Sequence, residues 1–288
     1  MPNRPPMLSI GSVHLTLSDP LTMIDPNQHD TASGQPELAV VVPVHNEAEN
    51  LAVLIAEIRA ALDVACGDYE IIYIDDGSSD DSVEKLLDIK TECPQLRVLS
   101  HAKCCGQSAA IVTGIKAARA PVIATLDGDG QNDPADIPAL FLALKGAPDR
   151  DRLLVAGLRT KRQDTWIKRY SSKIANGVRS RLLSDDTPDT GCSLKVFTRA
   201  AFMDMPHFDH MHRFLPALMI RRGGNVISLA VNHRARERGI SNYGTWDRLK
   251  VGIVDLFGVL WLLRRASHPE ARELNIDNKP KPPKAESR

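Results

Sequence analysis

Two carboxylates one residue apart, Asp127-Gly128-Asp129, with the side-chain amide of Gln131 beyond, form the densest chemical cluster of this 288-residue chain. Such a set suits a hard divalent cation, Mg²⁺ or Mn²⁺, held by few protein ligands and completed by substrate phosphates. An EF-hand needs Gly at its sixth loop position and Glu at its twelfth, and here those are Asn132 and Pro138. A plain Asp/Gly turn is the alternative, about as common for an isolated D-x-D. Upstream, Asp75-Asp76-Gly77-Ser78 offers acids that can accept hydrogen bonds from a nucleobase N–H or a ribose hydroxyl. Ser79 or Asp80 can equally cap a following helix, and Asn46 in Pro43-Val44-His45-Asn46-Glu47 reads as an N-cap. Downstream, His233 to Tyr243 is a basic loop whose arginine forks, Arg236 among them, suit a diphosphate. A solvated basic loop is its ordinary reading.

Other clusters carry less. Residues 150–181 hold ten basic and two acidic groups, with Lys168, Arg169 and Lys173 near one face at helical spacing. His207, His210 and His212 read as a polar loop rather than zinc ligands, because no fourth ligand accompanies them. The vicinal Cys104-Cys105 pair reads as packing rather than redox chemistry. No G-x-G-x-x-G follows the first apolar run and no Walker A sequence occurs, which argues against a dinucleotide fold or a P-loop.

The elements that must position these groups alternate. Apolar runs at 38–43, 70–74, 96–99, 121–126, 153–157 and 226–231 read as strands. Segments 48–65, 82–90, 107–118 and 134–144 carry helical spacing, the last opening on Pro134. Alternation of this size predicts a mostly parallel, doubly wound sheet, in which ligands bind beyond the carboxyl ends of strands. The polar clusters at 43–47, 75–78 and 127–131 all fall there. Residues 1–36 predict an irregular extension without a secretory signal, and residues 267–288 a disordered tail. Val251–Leu263 is apolar except for Asp255 and is flanked by Arg248, Lys250, Arg264 and Arg265. Thirteen residues fall short of the roughly 20 that span a bilayer. The segment, taken as 246–266, therefore predicts a helix lying in a membrane interface or packed on the core or a partner.

Composition narrows the class. The formal net charge is zero, with 25% charged and 43% hydrophobic residues, which excludes a disordered chain, a collagen and a multi-span membrane protein. Neutrality also removes the simplest argument for nucleic acid. The total conceals a split: residues 37–149 carry 8 basic and 19 acidic groups, residues 150–265 carry 22 and 10. A net −11 followed by a net +12 suggests an anionic partner for the second half. Five cysteines without a C-x-x-C pair fit a reducing cytoplasm better than a disulfide scaffold.

Taken in order, these motifs resemble a family-2 glycosyltransferase with the GT-A fold, closest to polyprenyl-phosphate (dolichol-phosphate) mannose or glucose synthases. The motifs are Pro43…Asn46-Glu47, Asp75-Asp76-Gly77-Ser78, Gly106…Gly114, Asp127 to Gln131, Gly157-Leu158-Arg159, Asp189-Thr190-Gly191-Cys192 and His233…Arg236…Gly239…Ser241-Asn242-Tyr243. The resemblance covers residues 37–245. It implies one Rossmann-like, mixed, mostly parallel sheet flanked by helices, followed by the C-terminal apolar helix. It places the donor on Pro43, His45, Glu47, Ile74, Asp76, Asp127, Gly128, Asp129, Gln131 and Arg236. Asp127, Asp129 and Gln131 would hold Mg²⁺ or Mn²⁺, and Asp127, Asp129 and Arg236 would carry the chemistry. Arg159, Lys168 and Ser172 fall where the family binds the acceptor phosphate. Two departures stand out: Asn242 replaces a frequent Lys, and no segment of spanning length follows the catalytic domain.

The resemblance further implies an inverting displacement at the sugar C1, from GDP-mannose, UDP-glucose or a UDP-uronic acid to a polyprenyl phosphate. A lipid phosphate is already an anion near pH 7, so no proton-abstracting base is nominated. Membrane contact would be peripheral, at the cytoplasmic face, or through a membrane-protein partner, with no nucleic acid involved. The rival readings are a family-2 enzyme acting on a saccharide hydroxyl and a non-catalytic nucleotide-sugar-binding protein at the membrane surface.

Overall fold

The computed structural model describes residues 34–159, 182–183, 187–234 and 245–267, with side chains from 252 onward in the last stretch. The sheet has seven strands: β1 (Leu38–Val44), β2 (Tyr69–Asp75), β3 (Leu96–Ser100), β4 (Val122–Thr125), β5 (Leu153–Arg159), β6 (Lys195–Thr198) and β7 (Asn225–Val231). Their order is β3-β2-β1-β4-β6-β5-β7. Six run parallel, and β6 lies antiparallel between β4 and β5. β1 and β2 are buried on both faces, which is why they read as unbroken apolar runs rather than alternating ones.

The helices are α1 (Leu51–Ala65), α2 (Ser82–Glu92), α3 (Gln107–Ala117), α4 (Ile137–Lys145), α5 (Arg199–Met203), α6 (Leu215–Arg221) and α7 (Thr245–Arg264). Period-2 alternation along β1 sends Val40, Val42 and Val44 to one face of the sheet and Ala39 and Val41 to the other. The first face receives α1 through Leu51, Leu54, Ile55, Ile58 and Leu62, all buried. Each such burial contributes about 1.5–3 kcal/mol. The second face receives α3, α5, α6 and, through Val259, α7. Gly114 allows α3 to lie close to the sheet, since a Cβ there would meet Ile74 and Val41 at 2.5 and 2.6 Å.

Two expectations need correction. Asn46 does not cap α1, whose N-cap position is Asn50. Asn46 instead takes a left-handed backbone (φ 56°), and its carboxamide oxygen accepts the Ser79 N–H at 2.7 Å and the Asp80 N–H at 3.3 Å. It ties the end of β1 to the turn after β2. Cys104 and Cys105 are not packed in a core; both are exposed on the loop between β3 and α3.

Candidate functional site

The carboxyl ends of β2, β1 and β4 are neighbours, so the loops after them stand side by side at one edge of the sheet. β1 is flanked by β2 on one side and β4 on the other, so the strand order reverses here, the place at which sheets of this kind bind ligands. His45 follows β1, Asp76 follows β2 and Asp127 follows β4. The His45 imidazole lies 2.9 Å from the Asp76 carbonyl. That oxygen only accepts, so Nδ1 carries the proton and Nε2 is left as an acceptor.

Two glycines are forced by close approach. A Cβ on Gly128 would meet Val44 at 2.4 Å and the Pro43 carbonyl at 3.1 Å, so only glycine lets the Asp127-Gly128-Asp129 turn press against β1. Gly77 has φ 68°, and a Cβ there would strike the backbone of Lys103 and Cys104 at 2.6 Å. It brings the 103–106 loop against the Asp75-Asp76 turn. Asp80 accepts the Ser82 N–H at 3.1 Å and the Ala48 N–H at 3.3 Å, but the N-cap position of α2 is Asp81, so neither Ser79 nor Asp80 caps that helix.

Asp76 is buried, and its carboxylate organises the 103–106 loop. One oxygen accepts from the Cys105 N–H (2.9 Å) and faces His101 Nδ1 (2.7 Å); the other accepts from the Gly106 N–H (2.7 Å) and the Cys104 thiol (3.3 Å). Burial pushes its acidity down, but these donors outweigh burial and hold its pKa below the usual carboxylate value.

Asp127 sits in the opposite regime. Burial, together with the Asp129 carboxylate, raises its pKa to about 6, against the pull of the Ser193 hydroxyl, Lys195 and Arg159. The Gln107 amide donates to it at 2.7 Å. Two carboxylates that repel across a partly desolvated turn are the donor set a hard divalent cation relieves, so these residues fit Mg²⁺ or Mn²⁺. The Gln131 N–H donates to Asp129 at 3.1 Å, which closes the turn.

The basic half reaches the same edge. Arg159 ends β5 and grips Asp189 with two nearly parallel bonds of 2.6 and 2.7 Å. Gly191 lies over that guanidinium, 3.0 Å from where a Cβ would be. The Arg234 N–H donates to the Gln131 carbonyl at 2.9 Å, and its guanidinium holds Glu57 and Asp133. Arg236, Lys168 and Ser172 lie outside the described residues. Ile74 belongs to the same strand end, but its side chain is fully buried against α3.

Sequence reasoning missed several groups here. Lys195 is buried at the start of β6 opposite Thr125, and its ammonium donates to the carbonyls of Cys192 and Thr190. Burial pulls its pKa down, while Cys192, Asp127 and Asp189 pull it up. A lone Lys inside the apolar run 194–197 was the available signal. Ser193 accepts from Asn132 at 2.6 Å and hydrogen-bonds Asp127. The three histidines go to three separate partners. His207 meets the Phe202 carbonyl, His210 pairs with Asp255 of α7, and His212 bonds Ser108 at the start of α3.

A mostly parallel α/β sheet with acids at the carboxyl ends of adjacent strands has the architecture of the GT-A fold. Residues 39–205 match Glycosyl transferase family 2, and the chain belongs to that family. It is 35% identical over 237 residues to the dodecaprenyl-phosphate galacturonate synthase of Rhizobium johnstonii, covering 81% of this chain and 69% of the relative. It is 34% identical over 209 residues to the undecaprenyl-phosphate 4-deoxy-4-formamido-L-arabinose transferase of Edwardsiella ictaluri, covering 72% and 63%. Among solved structures, it resembles a mannosyltransferase from Pyrobaculum calidifontis in complex with GDP-Man and Mn²⁺ (TM-score 0.58, 19% identity, 85% and 67% covered). It also resembles the glucosyl-3-phosphoglycerate synthase of Mycobacterium tuberculosis with Mn²⁺, UDP and phosphoglyceric acid (TM-score 0.58, 17% identity, 82% and 80% covered). These likenesses show the fold.

Proposed function

We propose that this chain is an inverting glycosyltransferase that moves a hexose from a nucleotide diphosphate sugar to a polyprenyl phosphate at a membrane surface. The observation that carries the reading is the Asp127-Gly128-Asp129 turn beside β1, in a chain about a third identical to two polyprenyl-phosphate sugar transferases. Pro43, His45, Glu47 and Asp76 form the base side of the donor site. Asp127, Asp129 and Gln131 hold Mg²⁺ or Mn²⁺ and the diphosphate. A bound divalent cation supplies stabilisation of the charge developing on the departing nucleoside diphosphate. Gln107 orients Asp127, and Ser193 fixes it from the other side. Arg236 neutralises the donor phosphates. Arg159, locked in orientation by Asp189, presents the acceptor side with Lys168 and Ser172.

The acceptor is delivered at a lipid surface. On α7, Val259 is buried on the core, whereas Ile253, Val254, Phe257 and Trp261 are 48–70% exposed. At 3-to-4-residue spacing they form one stripe, with Arg265 over the Trp261 ring. An apolar stripe with cations at its end suits a bilayer interface carrying anionic headgroups. No helix among the described residues is long and apolar enough to cross a membrane. All five cysteines are free thiols, which fits the cytoplasmic face.

The test is a screen of GDP-mannose, UDP-glucose and UDP-uronic acids against one polyprenyl phosphate, with and without Mg²⁺ or Mn²⁺. Release of nucleoside diphosphate that requires both lipid phosphate and metal is expected. Turnover with a hydroxyl acceptor, and none with any lipid phosphate, overturns the reading.

A further inference from the structure

The loop between β3 and α3 brings His101, Cys104 and Cys105, which the proposed reaction does not use, to the Asp76 carboxylate. One ligand atom each from Asp76, His101 and Cys105 lie within 4.8 Å of one another. The Cys104 thiol is 3.3 Å from the second Asp76 oxygen and brings a fourth donor to the same carboxylate. Tetrahedral zinc bonds of about 2.0–2.3 Å place ligand atoms roughly 3.3–3.8 Å apart, so side-chain rotation of about 1 Å closes the set. His101 is already oriented: its Nε2 lies 2.9 Å from the Thr113 hydroxyl, which directs Nδ1 at the cluster. An outer partner of this kind is what a metal-bound imidazole has. The Asp76 carboxylate is fixed by two backbone N–H groups, so it need not be reorganised to serve as a ligand. Cys105 is exposed, which gives a cation a path in.

We propose that Asp76, His101 and Cys105, with Cys104 alongside, form a binding site for a thiophilic divalent cation of the Zn²⁺ class, separate from the Asp127-Asp129 turn. Binding replaces the His101–Asp76 hydrogen bond by two metal bonds and releases the Cys105 thiol proton to solvent; the His101 ring proton moves from Nδ1 to Nε2, where Thr113 accepts it. A cation there occupies the carboxylate assigned above to the base of the donor. Loading therefore weakens nucleotide-sugar binding without touching the diphosphate site. This consequence rests on the proposed donor site, whereas the cation site itself does not.

The experiment titrates the purified full chain with Zn²⁺ against a chromophoric chelator, in excess Mg²⁺ and without donor or acceptor. A parallel Cd²⁺ titration follows the ultraviolet thiolate-to-metal band. One equivalent with a thiolate band is expected in the native chain and in Asp129→Asn. Cys105→Ser should weaken the band and lose at least tenfold in affinity, Cys104→Ser with Cys105→Ser should abolish the band, and His101→Asn should lose at least tenfold in affinity. Absence of a thiolate band in the native chain overturns the site. So does Zn²⁺ binding lost in Asp129→Asn but kept in Cys105→Ser. A chain that binds Zn²⁺ as expected yet transfers no sugar leaves the site standing and sinks the function instead.

Discussion

Burial and the neighbouring Asp129 hold Asp127 protonated up to about pH 6. Above that pH the metal-free fold carries an ionised pair that opposes folding, which is the cost of a site made for a cation. Asp127→Asn keeps an acceptor for Gln107 and removes the repulsion. At pH 7.5 in chelator the variant should be more stable by about 1–2 kcal/mol, while its turnover falls by about a hundredfold or more. Thermal melts in EDTA decide this: a lower melting temperature for the variant refutes the strain. His212 behaves in the reverse sense. Burial first, then Arg213, Lys195 and His210, lower its pKa from 6.5 to about 3. The unfolded chain thus binds a proton that the fold refuses, so stability is intact above pH 6.5 and falls as pH drops toward 3. Between pH 7.5 and pH 5 this group should remove about 2 kcal/mol. Urea unfolding of His212→Asn should show that much less acid sensitivity than the native chain.

At the scale of elements, α7 separates two roles by face. Phe257→Ser with Trp261→Ser should leave the fold intact and weaken vesicle binding more than tenfold, since each ring transfers about 1.5–3 kcal/mol. Val259→Ser should instead lower the melting temperature, because its side chain is 1% exposed against the second face of the sheet. Vesicle flotation separates the two, and binding unaffected by the ring changes rejects the bilayer as the stripe's occupant. The same helix shows what was legible beforehand. Its length and apolar character stood in the sequence, but which face packs did not, because nearly every position from 251 to 263 is apolar. β1 to β5 and β7 were legible as apolar runs bounded by turns. β6 was not: it is four residues long, opens on Lys195 and runs antiparallel, so neither length nor period marks it. The acid pair and Asp76 stood out in the sequence because their clusters directly follow apolar runs. Lys195 showed only as a lone charge in an apolar run, and the bonds of Ser193 and His212 not at all, because the partners are 61 to 104 residues distant or are backbone carbonyls.

Over the whole molecule the sheet order turns the charge split into a layout. β1 to β4 carry the acidic half and β5 to β7 the basic half, and the carboxyl ends of all these strands but the antiparallel β6 lie at one edge. Much of the acidic charge is spent on structure: Glu70 holds Arg97 and the backbone at Arg119 and Ala120, and Asp76 and Asp80 hold loop N–H groups. Several cations of the second half are spent the same way, Arg159 on Asp189, Arg222 on Asp204 and Arg234 on Glu57. The surplus of twelve positive charges over residues 150–265 therefore rests on other positions, nine basic groups besides Arg159 falling in 150–181. A surplus of this kind draws an anion through water and is screened by salt, the Debye length shrinking from about 10 Å at 0.1 M to about 3 Å at 1 M. Ligands clamped directly on a metal feel that screening less. Raising salt from about 0.05 to 0.5 M should thus increase KM for a detergent-dispersed polyprenyl phosphate severalfold and leave KM for the nucleotide sugar nearly unmoved. Using detergent rather than vesicles keeps bilayer docking by α7 out of the measurement. Equal salt sensitivity of the two constants would mean that the positive half does not serve the acceptor, and that the split in charge is a property of composition alone.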